Sequence, residues 1–130
     1  MAANDSRKVV FSIEDMLFEY DEEKNRINIK KHGISFQIAA RVFFDYNRIE
    51  AYDEEHSGDE DRFNTIGLVA EKSTDIVVGT IGSYGSVIFV VYTERAEELQ
   101  DGRRVEVTRI ISARLANDFE RGLYYGKYYE

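Results

Sequence analysis

The stretch that decides the fold is Val87-Ile88-Phe89-Val90-Val91-Tyr92-Thr93, in which every residue is apolar, aromatic or β-branched. A run of this length and composition is typical of a buried β-strand and is too short for a buried helix. We therefore predict that it forms the central strand of a sheet. Weaker patterns predict neighbouring strands near Arg48–Tyr52, at Phe63–Ala70 and at Arg104–Ser112.

Helix signals lie on both sides of these strands. Acidic residues begin and basic residues end the segment Glu22–His32, and Gly33 follows as a stop signal. A second helix is predicted over Phe36–Phe44, where apolar residues recur at helical spacing. Asn117-Asp118-Phe119-Glu120 has the pattern of a capping box and opens a last helix that we expect to reach about Tyr128. Two N-terminal helices, an antiparallel sheet of about four strands and a C-terminal helix make an α+β fold.

Two segments lie outside this plan. Residues 1–17 are interpreted as an N-terminal extension, although Ser12-Ile13-Glu14-Asp15 has a weak helix-start pattern. Residues about 70–79 are interpreted as an insertion that lengthens a hairpin, with an added strand over Asp75–Ile81 as one interpretation.

Composition excludes several classes of protein. The chain has 130 residues and no cysteine, so it is the size of one domain and has no disulfide or thiolate metal site. It has no apolar run of the roughly 18 residues that span a bilayer and no signal-peptide pattern, so we expect a cytoplasmic protein without membrane association. The net charge is −8, yet a basic stretch over residues 24–48 lies between acidic stretches over 14–23 and 50–61. A basic face can therefore form on an acidic molecule.

Six short islands share their order and residue types with one family of bacterial proteins. They are Phe18-Glu19-Tyr20-Asp21, Lys31-His32-Gly33-Ile34-Ser35-Phe36, His56-Ser57, Arg62 with Gly67, Tyr92-Thr93-Glu94-Arg95 and Arg109-Ile110-Ile111-Ser112-Ala113-Arg114. Together they resemble the BrnT-type toxins, which are RelE-like endoribonucleases of type II toxin–antitoxin pairs. The resemblance implies one BrnT/RelE-like domain over residues 18–130, with two helices before an antiparallel sheet.

The same resemblance implies an activity and partners. We expect a toxin that cleaves RNA without a metal or other cofactor and so inhibits translation. Its expected partners are an RNA substrate and a cognate DNA-binding antitoxin, with which it represses its own promoter. A homodimer or a toxin–antitoxin heterotetramer is the expected assembly.

Cleavage of RNA without a metal needs a base for the 2′-hydroxyl, an acid for the leaving 5′-oxygen and cations for the charged phosphorane. The islands supply candidates for each role, and the resemblance favours them. Arg109 and Arg114 are assigned to binding the phosphate, and either His56 or His32 is assigned to proton transfer. Glu60 and Tyr92 are assigned supporting roles. The catalytic candidates are Arg109, Arg114, His56, His32, Glu60 and Tyr92, and the RNA-binding candidates are Lys30, Lys31, Arg62 and Arg95.

Five of these candidates also have a structural interpretation. A cationic His32 before a glycine is favoured by the helix dipole and by the free carbonyls there. Arg109 and Arg114 could pair with the many carboxylates of the chain. Tyr92 could belong to the core, and His56 could belong to a solvated, hinge-like loop.

Two other functions stay open on the sequence. The last helix begins with Asp118 and Glu120, where the resemblance leads us to expect basic residues, and this acidic start disfavours phosphate. The alternative function is therefore a non-catalytic RelE-like module that binds a protein partner, using the tyrosines from Tyr124 onward. The loop Asp53–Asn64 also partly matches a calcium-binding loop, but Asn64 replaces the glutamate at its last position.

Overall fold

A computed structural model describes residues 7–69 and 86–126, which form one mixed sheet with helices on both of its faces. The strands are β1 Lys8–Ile13, β2 Met16–Asp21, β3 Ile49–Tyr52, β4 Phe63–Val69, β5 Ser86–Glu98 and β6 Arg104–Leu115. The helices are α1 Glu22–His32, α2 Phe36–Ala39, which continues into a 3₁₀ helix over Ala40–Phe44, and α3 Asp118–Tyr124. The strand order is β1-β2-β6-β5-β4-β3, and the β2–β6 pair alone among the described pairs is parallel.

The α+β class is confirmed, whereas the details of the predicted sheet are partly wrong. The sheet has six described strands and is mixed, because β1 and β2 add a hairpin beside β6. The weak helix-start pattern over Ser12–Asp15 covers the end of β1 and the turn of this hairpin, in which Glu14 has a φ of 53°. Alternating Val9, Phe11 and Ile13 pack against the core, and this period-two pattern outweighs the capping pattern.

The helices begin where the sequence predicts, but the second changes type before its predicted end and the last ends early. The α1 bounds are confirmed, with Gly33 at a φ of 74° after its last residue. The second predicted helix is α-helical only to Ala39 and is a 3₁₀ helix from there to Phe44. The last helix ends at Tyr124 because Gly126 takes a φ of 78°, so the predicted end at about Tyr128 is wrong. The predicted insertion at about 70–79 and the strand over Asp75–Ile81 lie outside the described residues.

The core lies between one face of the sheet and the helices α1 and α2. The central strand β5 is confirmed and contributes alternate residues to this core, which also includes large side chains of β2, α2 and β6. These buried residues include Phe18, Tyr20, Phe36, Phe43, Ile88, Val90, Tyr92 and Ile110. The residues of β5 that alternate with these lie on the face that carries α3, where Val87 and Phe89 pack with Leu123 and Tyr124. Each face of the sheet is therefore covered over a different part of its length.

A β-bulge in β6 decides which residues share a face. Val91 pairs with Ser112 whereas Tyr92 pairs with Ile110, so Ile111 is the extra residue. Without the bulge, alternation would place Arg109 and Arg114 on opposite faces. The bulge brings both arginines to the face that carries α3.

Candidate functional site

The helix α1 covers the edge of β6 beyond the end of β2, and the Asn28 side chain makes this junction. Its Nδ2 donates to the carbonyls of Ala113, at 2.8 Å, and Ile34, at 2.9 Å. Its Oδ1 accepts from the Ala113 N–H at 3.1 Å, so the amide replaces a neighbouring strand. The C-terminal turn of α1 is thereby held beside the end of β6, which carries Arg114.

His32 is an exposed residue of this last turn and lies within the electrostatic reach of Arg114. Partial burial lowers the pKa of His32, and the charges of Lys31 and Arg114 lower it further. The neutral imidazole is thus favoured at pH 7, which disfavours the interpretation of His32 as a helix-capping cation. Lys30 and Lys31 are exposed on the same turn. A base and two lysines therefore share one helical turn, within the electrostatic reach of Arg114.

Arg114 is held in one orientation by three contacts. Its Nη1 and Nη2 donate to the two carboxylate oxygens of Glu120 at 2.8 and 2.9 Å, and Nη1 also donates to the Leu115 carbonyl at 3.2 Å. The guanidinium carbon lies 4.2 Å from the ring centroid of Phe89. The bond to Glu120 raises the pKa of Arg114, which stays a cation at every relevant pH. The side chain of Arg114 is 37% exposed and that of Glu120 is 12% exposed.

Arg95 and Arg109 surround the buried carboxylate of Glu19, whose side chain is 1% exposed. Arg95 donates from Nε and Nη2 at 2.7 and 2.6 Å, Arg109 donates at 3.4 Å, and the Lys8 ammonium lies at 3.6 Å. The Arg95 hydrogen bonds overcome the cost of burial and lower the pKa of Glu19 to about 2. Both arginines are therefore counterions of a buried acid, a role that sequence reasoning did not assign to Glu19.

The candidates His56, Glu60 and Arg62 lie in the loop between β3 and β4. Ser57 Oγ closes this loop by donating to the Asp53 carbonyl at 2.7 Å and accepting from the Arg62 N–H at 2.9 Å. The His56 side chain is 62% exposed, and its Nδ1 lies 3.0 Å from the Asp53 carboxylate. Glu60 is exposed and Arg62 is half-buried. Among the described residues, no group of three or more histidine, aspartate or glutamate side chains could hold a metal ion.

The sheet register separates this loop from the His32–Arg114 pair. The loop ends at Phe63, which pairs with Tyr92 of β5, whereas Arg114 pairs with Phe89. These two β5 positions are about 10 Å apart at the usual rise per residue, and β4 and β6 lie on opposite sides of β5. The structure therefore places His32, and not His56, at the end of the sheet that carries Arg114, within the electrostatic reach of its guanidinium.

The tyrosine candidates have different surroundings. Tyr92 is 3% exposed and packs against Phe43 and Phe63, at ring-centroid distances of 4.8 and 5.7 Å. Burial raises the pKa of Tyr92, so this hydroxyl stays protonated within the core. Tyr124 donates to the Asp45 carboxylate at 2.6 Å, which ties α3 to the end of the 3₁₀ helix. These contacts favour core and packing roles for both residues.

The fold and these contacts define a small α+β domain with an anchored arginine and a histidine within its electrostatic reach. The model of the family described as the ribonuclease toxin, BrnT, of type II toxin–antitoxin systems matches residues 20–120. The chain belongs to this BrnT family, as its islands predict, and an antitoxin is the partner that such a toxin implies. Among curated proteins, no match to the chain is found. No helix among the described residues is long and apolar enough to cross a membrane.

Proposed function

We propose that this chain is the endoribonuclease toxin of its pair, cleaving RNA without a metal and so inhibiting translation. Membership of the BrnT family supports the class of activity. The observation that carries the proposal is the junction of α1 with the end of β6 through Asn28, which places His32 within the electrostatic reach of the anchored Arg114 guanidinium. A base for the 2′-hydroxyl and a cation for the phosphorane are two of the three kinds of group that metal-free RNA cleavage needs.

In the proposed reaction, neutral His32 accepts the proton of the 2′-hydroxyl, and the 2′-oxygen attacks the adjacent phosphorus. The bond from phosphorus to the 5′-oxygen breaks, which leaves a 2′,3′-cyclic phosphate and a 5′-hydroxyl. The 5′-oxygen takes a proton from the imidazolium or from water. Arg114 stabilises the charge of the phosphorane, and the required 2′-hydroxyl restricts the reaction to RNA.

The other cations have secondary roles in this proposal. Lys30 and Lys31 contact the RNA backbone on either side of the cleaved bond, since both are exposed on the turn that carries His32. Arg95 and Arg109 hold β2 against β6 through Glu19, and the His56 loop does not take part in the proton transfer.

The assembly is also proposed from the family. We propose that the antitoxin partner binds DNA and that the pair forms a heterotetramer which represses its own promoter. Light scattering of the toxin alone and of the pair measures these masses. A complex with one copy of each chain would contradict the proposed assembly.

The test compares the two histidines of the chain, because the same substitution at each gives a matched control. Purified protein is incubated with RNA in EDTA, with and without ribosomes, as parent, His32→Gln, His56→Gln and Arg114→Ala. The parent and His56→Gln are expected to cleave, whereas the other two lose about 100-fold or more of the rate. Loss of activity in His56→Gln alone would move the site to the loop. Folded parent protein that cleaves under neither condition would favour the non-catalytic binding module.

A further inference from the structure

The acidic start of α3 looks unfavourable for an enzyme that binds phosphate, yet the Glu120 carboxylate has two defined tasks. Its Oε1 accepts from the Asn117 N–H at 2.9 Å, while Asn117 Oδ1 accepts from the Glu120 N–H at 2.8 Å, which completes a capping box. The same carboxylate binds the Nη1–Nη2 end of Arg114 with both oxygens. The cap therefore holds Glu120, and Glu120 holds Arg114.

Within residues 7–69 and 86–126, the hydrogen bonds of Arg114 leave a second edge of the guanidinium for a ligand. A guanidinium has five N–H donors, and the bonds to Glu120 and Leu115 use two from Nη1 and one from Nη2. The Nε–H and the other Nη2–H lie together on the adjacent edge and form a second fork. Such a fork matches two oxygens of a phosphate as well as it matches a carboxylate.

We propose that Glu120 is a positioning residue, which anchors one edge of Arg114 so that the Nε–Nη2 edge binds the RNA phosphate beside His32. This inference rests on the proposed function, since it assigns a role within the same site. Phe89 fixes the plane of the guanidinium, and the Leu115 carbonyl fixes its rotation within that plane. An arginine fixed in this way loses little conformational entropy when the phosphate binds.

The substitution Glu120→Gln separates the two tasks of this side chain. Glutamine is accepted at this position of a capping box, so the helix start is kept. Its amide offers one acceptor and places an NH₂ group against an Arg114 donor, so the two-oxygen fork is lost. Asp118→Asn is the matched control, because it removes one negative charge from the same first turn. Asp118 is 94% exposed and pairs with Arg121 rather than with Arg114.

The expected result is a loss of turnover without a loss of folding. In Glu120→Gln, kcat falls by about 10-fold or more and KM rises by a smaller factor, because the aligned fork contacts the phosphate of the bound RNA and binds the phosphorane more strongly. Arg114→Lys, which keeps the charge and lacks a fork, shows the same fall. Asp118→Asn stays within about twofold of the parent. A rise in kcat for Glu120→Gln would overturn the inference, since Glu120 would then mask Arg114, and equal falls in Glu120→Gln and Asp118→Asn would overturn it as a net-charge effect.

Binding of RNA whose 2′-hydroxyls are methylated gives a readout that does not depend on cleavage. The expected result is weaker binding by Glu120→Gln than by Asp118→Asn, with unchanged circular dichroism spectra. If the parent binds this RNA and cleaves none, weaker binding by Glu120→Gln keeps the inference while the proposed function fails. Unchanged or tighter binding by Glu120→Gln overturns the inference, whether or not the parent cleaves RNA.

Discussion

The substitution Asn28→Ala tests the junction on which the site depends. The Asn28 residue is 6% exposed, and its side chain makes three hydrogen bonds to the backbone of Ile34 and Ala113. Alanine removes all three bonds and leaves the buried backbone groups without these partners. We expect the C-terminal turn of α1 to loosen, which separates His32 from Arg114.

The expected loss in the free energy of unfolding follows from the number of hydrogen bonds that Asn28→Ala removes. A lost intramolecular hydrogen bond costs about 1 kcal/mol, and a buried group left unsatisfied costs about 1–3 kcal/mol. The better helix propensity of alanine returns about 0.6 kcal/mol. The expected net loss is about 2–5 kcal/mol in the free energy of unfolding, a large part of the total of about 5–15 kcal/mol for a domain.

The assay is urea unfolding at pH 7, followed by circular dichroism. Asn28→Asp is measured beside Asn28→Ala and is expected to lose at least as much stability, because its carboxylate faces the Ile34 and Ala113 carbonyls. Lys24→Ala on the exposed side of the same helix is the control and is expected to change stability by under about 0.5 kcal/mol. A loss below about 1 kcal/mol in Asn28→Ala would refute the reasoning.

Three further predictions concern packing and pH. Gly67→Ala places a methyl group 2.6 Å from Val42 Cγ2 and costs about 1–3 kcal/mol by urea unfolding, whereas Gly58→Ala, with nothing within 4 Å, costs little. Glu19 contributes about 3 kcal/mol that is present above pH 4.5 and lost as the pH falls toward 2, so Glu19→Gln should flatten stability over that range. Because the pKa of His32 is lowered, kcat/KM should fall on the acid side only below pH 6.5, and a fall centred above 6.5 would contradict this.

The correct predictions of helices and strands rest mostly on patterns within short stretches of sequence. The bounds of α1 follow from its charged ends and from Gly33, and β5 follows from its continuous apolar run. The β1–β2 hairpin was missed because the pattern from Ser12 to Asp15 suggested a helix start, while the weaker alternation from Val9 to Ile13 was the correct signal.

The site was predicted as a set of residues and not as an arrangement. His32 and Arg114 were both candidates, but the sequence did not show that α1 lies beside the end of β6, which the Asn28 bonds to Ala113, 85 positions away, establish. The role of Glu19 depends on Arg95, 76 positions away, so it could not follow from local sequence. The one local signal for Glu19 was its place between the aromatic residues Phe18 and Tyr20 in an apolar strand.

The central claim is that the 2′-hydroxyl of RNA attacks phosphorus beside His32 and Arg114. The most direct measurement is mass spectrometry of the ends left on a synthetic RNA that the parent protein has cleaved in EDTA. Fragments ending in a 2′,3′-cyclic phosphate, with a 5′-hydroxyl on the other product, are expected from the parent and are absent with His32→Gln. Fragments ending in a 3′-hydroxyl and a 5′-phosphate would contradict the account, because water rather than the 2′-oxygen would then be the nucleophile.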